Sequence, residues 1–407
     1  MTSIERAAER VRNAVRAATT GLVERRVLTE LVALTAVAQE HVLILGPPGT
    51  AKSQAVRRIA EQLRGTYFEY LLGRFTEPTD IFGPIDLVQL REGQVAVQTA
   101  GMLPEAEVVF LDEVFLGSTA ILNTLLSLLN ERLFVRGHTR VRCPLRVCIG
   151  ASNSLPEDPG LAAFADRFLV RLFVEPLPDE LLESLLEAGW GGAPRSDETE
   201  QVPCSTVADI DLLAGAAARL NLAGVRPLLA AALRDLRHAG VQLGDRRIVK
   251  TQRLVAAAAV LRGSTEATAA DLWPLVFCAP TADEQVLARD VLQRHLEQAS
   301  NATLVAASEL ASASVAARAM RLQEEIAALL AEHGKQPPRR RAEALLREIS
   351  ANFTEATLPN ELARAAEELA TATEALPGSG HAPAGQEGSA TVRPSESAVT
   401  DAQTDVG

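Results

Sequence analysis

The rhythm of apolar and polar positions changes several times along the chain. Ile4, Ala7, Val11, Ala14 and Val15 recur at helical spacing, Thr19-Thr20-Gly21 interrupts, and a second helix is expected over residues 27–39. The short run His41-Val42-Leu43-Ile44-Leu45 is stopped by Gly46-Pro47-Pro48-Gly49, the pattern of a strand buried on both faces of a parallel sheet. A helix is expected to open at Thr50 and run to about Leu63, with a negative φ at Ala51. Further buried strands are expected at 67–72, 108–111, 146–151 and 168–174, and helical patterns separate several of them. The fold class is therefore α/β with a parallel sheet, of the doubly wound kind.

Beyond the sheet the pattern becomes helical. We read residues 1–177 as the α/β domain with its N-terminal helices and 178–280 as an all-α domain, broken by a polar, glycine-rich stretch at 191–201. Residues 281–376 read as a helical extension, a long helix and then a hairpin or coiled-coil arm, and 377–407 as a disordered tail. Composition agrees: apolar residues are 47 %, charged residues 23 % and aromatics only 4 %, which favours helices over sandwiches or barrels.

Charge and cysteine usage exclude some functions. Forty Lys plus Arg against fifty-two Asp plus Glu give a formal charge of −12, so affinity for nucleic acid or an anionic membrane surface is not expected. Cys143, Cys148, Cys204 and Cys278 form no CxxC pair and read as free thiols of a reducing, cytoplasmic compartment. The N-terminal residues carry interleaved charges without an apolar core, so no secretory leader is expected. The uncharged stretch 114–130 is too polar and too short to span a membrane.

Three strand ends carry the candidate chemistry. Gly46-Pro47-Pro48-Gly49-Thr50-Ala51-Lys52-Ser53 follows a buried strand and opens a helix; it offers converging backbone N–H donors, a lysine for β- and γ-phosphates and a hydroxyl for Mg²⁺, with Ala51 where the strict P-loop has glycine. The strand Val108-Val109-Phe110-Leu111 ends in Asp112-Glu113, placing Asp112 to hold Mg²⁺ through water and Glu113 to polarise an attacking water. A third strand ends at Ser152-Asn153, where an amide can hold the same water or merely cap a loop.

Together these motifs resemble the AAA+ ATPases. Ile149-Gly150-Ala151-Ser152-Asn153-Ser154-Leu155-Pro156 and Asp166-Arg167-Phe168 belong to the set. Glu69-Tyr70-Leu71-Leu72-Gly73-Arg74-Phe75, Ile81-Phe82-Gly83-Pro84 and Asn130-Glu131-Arg132 narrow it to the MoxR family and its regulatory ATPase variant (RavA) subgroup. The resemblance covers about residues 15–275 and fades beyond about 300. It implies a P-loop AAA+ core with a helical lid, ATP and Mg²⁺ as ligands, and a homo-hexameric ring that hydrolyses ATP to remodel a protein client. A partner with a von Willebrand factor A domain is implied as well. It further implies that Asn153 is the sensor-1 residue and Arg167 the arginine finger, with Arg171 as the fallback. In Gly244-Asp245-Arg246-Arg247, Arg246 or Arg247 would be sensor 2; alternatively Asp245 caps the helix and both arginines face water. Residues 81–99 resemble the family's helix-2 insert. Residues 133–144 resemble its β-hairpin, which either faces a pore or is simply solvated. A nucleotide-timed switch and a nucleic-acid motor are the competing readings, the latter opposed by the charge.

Overall fold

A computed structural model describes residues 2–183, 185–186, 205–333, 337–353 and 358–374. The expected tail, the polar stretch at 191–201 and Cys204 lie outside the described residues. Of the elements before the lid region, α1 is Ser3–Thr19, α2 Arg26–Ala38, β1 Val42–Leu45, α3 Lys52–Leu63, β2 Tyr67–Leu71, α4 Pro78–Phe82 and α5 Leu87–Arg91. There follow β3 Val108–Asp112, α6 Thr119–Glu131, β4 Leu133–Arg136, β5 Thr139–Arg142, β6 Val147–Ser152, α7 Pro159–Ala165 and β7 Val170–Phe173.

Five strands pair in the order β2-β3-β6-β1-β7, and every pairing is parallel. The strand alternation explains why both faces are apolar. Val42, Ile44, Phe110 and Ile149 join one core, with α1 to α3, whereas Leu43, Leu45, Val109, Leu111 and Cys148 join another under α6. In register, Leu45 pairs with Ser152 and Phe173, so the C-terminal ends of β1, β6 and β7 lie side by side. Asp112, ending β3, lies along the same edge beside Leu71.

Two small additions, one between β2 and β3 and one between α6 and β6, touch. The hairpin β4–β5 turns at Gly137-His138, where His138 N–H donates to the Val95 carbonyl at 2.7 Å and Val95 N–H donates to His138 Nδ1 at 3.0 Å. Phe134 of the hairpin stacks on Phe82 of α4, ring centroids 5.4 Å apart. Gly83 is required at this junction, since a Cβ there would meet the Gln98 carbonyl oxygen at 1.9 Å.

The remaining helices are α8 Val207–Arg219, α9 Arg226–His238, α10 Asp245–Leu261, α11 Ala282–Leu296, α12 Val305–Ser312, α13 Val315–His333, α14 Arg339–Asn352 and α15 Asn360–Glu374. The all-helical pattern after the sheet is thus present, but the expected long helix of the extension is broken over 297–304. There Asn301 Nδ2 donates to the Ala258 carbonyl at 2.9 Å and Thr303 Oγ1 to the Leu261 carbonyl at 2.7 Å. These two buried side chains satisfy carbonyls that end α10, which a continuing helix could not do. As a result α11 and α12 pack into the body's core, and only α13 to α15 form a core of their own.

The helix α10 is tied to the N-terminal edge of the sheet. Buried Glu40, just before β1, accepts Lys250 at 2.5 Å and Arg253 at 2.9 Å. Arg247, 3 % exposed, donates to the carbonyls of Phe168, Leu169 and Cys278 at 2.8–3.0 Å and meets Asp166 at 3.2 Å. Removing a charged donor from several buried carbonyls leaves them unsatisfied. Arg247→Met should therefore lower unfolding stability by about 3 kcal/mol in urea titration, whereas Arg246→Met at the exposed neighbour should change it by less than about 0.5 kcal/mol. Equal effects would show that the clasp is not what holds α10.

Candidate nucleotide site

The loop between β1 and α3 is shaped by three backbone requirements. A Cβ on Gly46 would meet the Val174 carbonyl oxygen at 2.2 Å, so only glycine fits there. Gly49 and Ala51 both take left-handed backbone conformations, φ 80° and 56°. For Ala51 this corrects the expectation of a negative φ, and the conformation costs about 1 kcal/mol in a residue with a Cβ. It is held from outside the loop by buried Arg25, whose Nε donates to the Thr50 carbonyl at 2.7 Å, and from within by Thr50 Oγ1, which donates to the Pro47 carbonyl at 2.9 Å. Helix α3 consequently starts at Lys52 rather than Thr50, and no side chain caps its first turn. Its leading N–H groups are left facing the loop, the arrangement that binds an anion.

Lys52 is buried and folds back onto the loop, its Nζ donating to the carbonyls of Gly46 at 2.7 Å and Pro47 at 2.9 Å. Burial first, and the charge of Arg25 in addition, lower its pKa against the opposing pull of Asp112 and Glu113. Ser53 Oγ donates to Asp112 Oδ2 at 3.2 Å. Asn153 Nδ2 donates to Glu113 Oε1 at 2.7 Å. Glu113 itself sits in the left-handed region at φ 49°, a conformation that turns its carboxylate off the strand line toward Asn153. The three strand-end motifs therefore meet at one edge of the sheet, where the order places β3, β6 and β1 next to each other.

A cavity of about 500 Å³ opens beside the loop, lined among others by Leu22, Val23, Arg25, Pro47, Leu177 and Leu182. Its size and mixed apolar and polar lining suit a small organic ligand. Leu22, Val23, Arg25, Leu177 and Leu182 were not legible as site residues, because they come from two remote connections that carry no motif; the break at Thr19-Gly21 was the one local signal. Among the described residues no cluster of three or more His, Cys, Asp or Glu side chains could hold a metal by itself. A hydroxyl hydrogen-bonded to a single carboxylate does fit Mg²⁺, which takes one or two carboxylates and completes its shell with water and substrate phosphates.

The arginines lie elsewhere. Arg167 precedes β7, and Arg246 donates to Asn130 Oδ1 at 2.5 Å, one residue from the Leu129 carbonyl that contacts His41 before β1. Both thus sit at the N-terminal edge of the parallel sheet, opposite the phosphate loop and separated from it by the length of β1, roughly 10 Å. Within one chain they are not brought to the loop. Asp166 is taken by Arg247 and by Arg171 at 3.6 Å, and it makes no ion pair with Arg167. Burial, and then the nearby charge of Arg246, lower the Arg167 pKa. Two of the expected candidates are engaged within the chain. Arg247, one of the two candidates for sensor 2, is used up on backbone carbonyls, and Arg171, the fallback finger, is buried with its Nη1 on the Pro280 carbonyl at 2.6 Å. Gly244, rather than Asp245, is the N-cap of α10.

Residues 9–215 match the family described as the MoxR domain in the MoxR-vWA-beta-propeller ternary systems. The chain belongs to the MoxR family of AAA+ proteins. This MoxR chain is similar to two uncharacterized proteins of Methanocaldococcus jannaschii. One is 36 % identical over 251 residues, covering 61 % of this chain and 65 % of the relative. The other is 34 % identical over 284 residues, covering 68 % and 72 %. The chain thus spans just under two thirds of the first relative's length. A structural protein of Acidianus two-tailed virus is 30 % identical over 142 residues, 33 % of this chain and 23 % of that protein. The fold is shared with the crystal structure of a candidate ATPase from Cytophaga hutchinsonii, with TM-score 0.58, 13 % identity and coverage of 74 % and 97 %.

If the loop binds triphosphate as its geometry suggests, Lys52→Ala should abolish detectable ATP binding in calorimetry. Glu113→Gln should keep binding and lower hydrolysis by about 10²-fold or more. Unchanged binding in Lys52→Ala would contradict the assignment.

Proposed function

We propose that this MoxR chain is a Mg²⁺-dependent ATPase whose active site is completed by a neighbouring subunit in a homo-oligomeric ring, most simply a hexamer. The observation that carries the reading is the placement of Arg167 and Arg246 at the sheet edge opposite the chain's own phosphate loop. An arginine finger in that position can only serve the next subunit's nucleotide. Gly46, Pro47, Pro48, Gly49, Thr50 and Ala51 form the cradle, and Lys52 leaves its loop carbonyls to take the β- and γ-phosphates. Ser53 and Asp112 would hold Mg²⁺, which supplies positive charge against the phosphates. Glu113, oriented by Asn153, positions the attacking water and accepts its proton. Arg167 from the neighbour stabilises charge developing on the transferred phosphoryl group, with Arg246 as the second cation of that surface.

The client is proposed to be a protein. The family's description names von Willebrand factor A and β-propeller components, which supports a partner of the first kind for this chain. Leu87 and Val88 of α5 are each 66 % exposed and Val135 of the hairpin 54 %, so the joined insert and hairpin offer apolar side chains to such a client. The motifs at Glu69–Phe75 and Asn130–Arg132 favour placement near the RavA subgroup. The charge of −12 argues against a nucleic-acid substrate, and no described helix is long and apolar enough to cross a membrane. A cytoplasmic setting fits the free, buried Cys143, Cys148 and Cys278.

Mixing variants tests the shared site. Arg167→Ala alone and Glu113→Gln alone should each lower turnover by about 10³-fold. An equal mixture should recover about a quarter of wild-type turnover, because random assembly pairs an intact carboxylate with an intact neighbouring arginine that often. No recovery at any ratio would sink the role given to Arg167.

A further inference from the structure

Arg25 and Arg26 are sequence neighbours that serve different partners. Arg25, 6 % exposed, lines the cavity and grips the phosphate loop through the Thr50 carbonyl, while its Nη1 donates to the Glu24 carbonyl at 2.8 Å. Arg26 faces away. It pairs with buried Glu30 at 2.8 Å and with Glu324 of α13, and Glu324 also takes Arg16 from α1. Glu30 in turn accepts the Ala307 N–H of α12 at 2.7 Å. Burial opposes the charge on Arg26, but Glu30 and Glu324 outweigh it and its pKa is raised.

The attachment of α13 to α15 has an unusual composition. Their apolar core, with Leu322, Ile326, Leu345 and Leu362, is separate from the cores of the body. Apart from buried Ser314 at the start of α13, whose Oγ donates to the Ala299 carbonyl at 2.7 Å, the side-chain links described between the two are ionic: Glu324 with Arg16 and Arg26, and Arg318 and Arg321 with Glu309 of α12. Ion pairs that water reaches weaken with salt, whereas a continuous apolar interface would not. A unit with its own core, held beyond Ser314 by ion pairs, can swing about that point without unfolding.

We propose that Arg25 is a positioning residue of the phosphate loop and that Glu324, by fixing Arg26, fixes Arg25, so that docking of α13 to α15 tightens nucleotide binding. The inference rests on the reading of this loop as the nucleotide site. Coupling of this kind is reciprocal: if docking favours the binding-competent loop, nucleotide favours docking by the same factor.

The test uses the full chain, ADP as the probe, and calorimetry at low and high salt, together with amide exchange over residues 315–333. Glu324→Gln should weaken ADP binding about fivefold at low salt, and that difference should shrink at high salt, where the wild-type latch is screened as well. Glu324→Asp should retain most of the affinity. Arg25→Ala should weaken ADP binding at least as much, with Arg25→Lys intermediate. In turnover assays Glu324→Gln should raise KM and leave kcat in place. Exchange over 315–333 should speed up in Glu324→Gln and slow down when ADP is added to the wild type. Faster exchange with unchanged ADP affinity would overturn the coupling, as would wild-type affinity in Arg25→Ala. Lys52→Ala separates the two readings: equal ADP binding by Lys52→Ala and wild type would remove the nucleotide site itself. Loss in Lys52→Ala with none in Glu324→Gln would remove only the latch.

Discussion

The polarity of an all-parallel sheet governs this structure. Because the five strands run the same way, every loop that leaves a strand's C-terminal end collects at one edge and every segment that enters a strand collects at the other. The order of strands then decides what meets. With β1 beside β6, and β6 beside β3, the phosphate loop, the Asp112-Glu113 pair and Asn153 share one edge, although about 100 residues separate Gly46 from Asn153 in the chain. The same polarity sends Arg167 and the start of α10 to the far edge. In the proposed reading, division of one chemical site between two subunits would be a consequence of direction along strands.

Packing on the two edges differs accordingly. At the phosphate edge, backbone strain at Ala51 and Glu113 is tolerated because neighbouring groups hold it, Arg25 through Thr50 and Asn153 through the carboxylate. At the arginine edge, charge is either buried against carbonyls or exposed against a neutral amide. Arg247 and Arg171 are buried and serve carbonyls, while Arg246 is exposed. His41, fully buried with its pKa pushed well down by burial and then by Arg132, accepts the Cys148 N–H at Nδ1 and so joins the starts of β1 and β6 as a neutral spacer. The arginine edge is thus held by buried side chains on backbone carbonyls, which in the proposed reading would position a guanidinium.

Much of the site was legible because each motif is local. A buried strand followed by glycines, or by two carboxylates, reads directly from order along the chain, and the strands fell within a residue or two of their expected bounds. What stayed hidden depended on contacts between remote residues. The φ of Ala51 is set by Arg25, which no local propensity contains. Arg246 and Arg247 are adjacent, and one step along a helix turns a side chain by about 100°, so only the packing of α10 on the segment before β7 and on Cys278 could say which points inward. The extension's long helix looked continuous in periodicity, yet Asn301 and Thr303 were needed to close the end of α10. The cavity beside the loop is assembled from Leu22, Val23, Leu177 and Leu182, each an ordinary apolar residue in its own segment.

The central claim is that one chain alone holds an incomplete site. Specific ATPase activity measured against protein concentration, with particle mass followed on the same samples, addresses it directly. The account predicts negligible turnover per subunit at dilutions where the chain is monomeric and a steep rise as rings appear. Constant specific activity down to the monomer would contradict it.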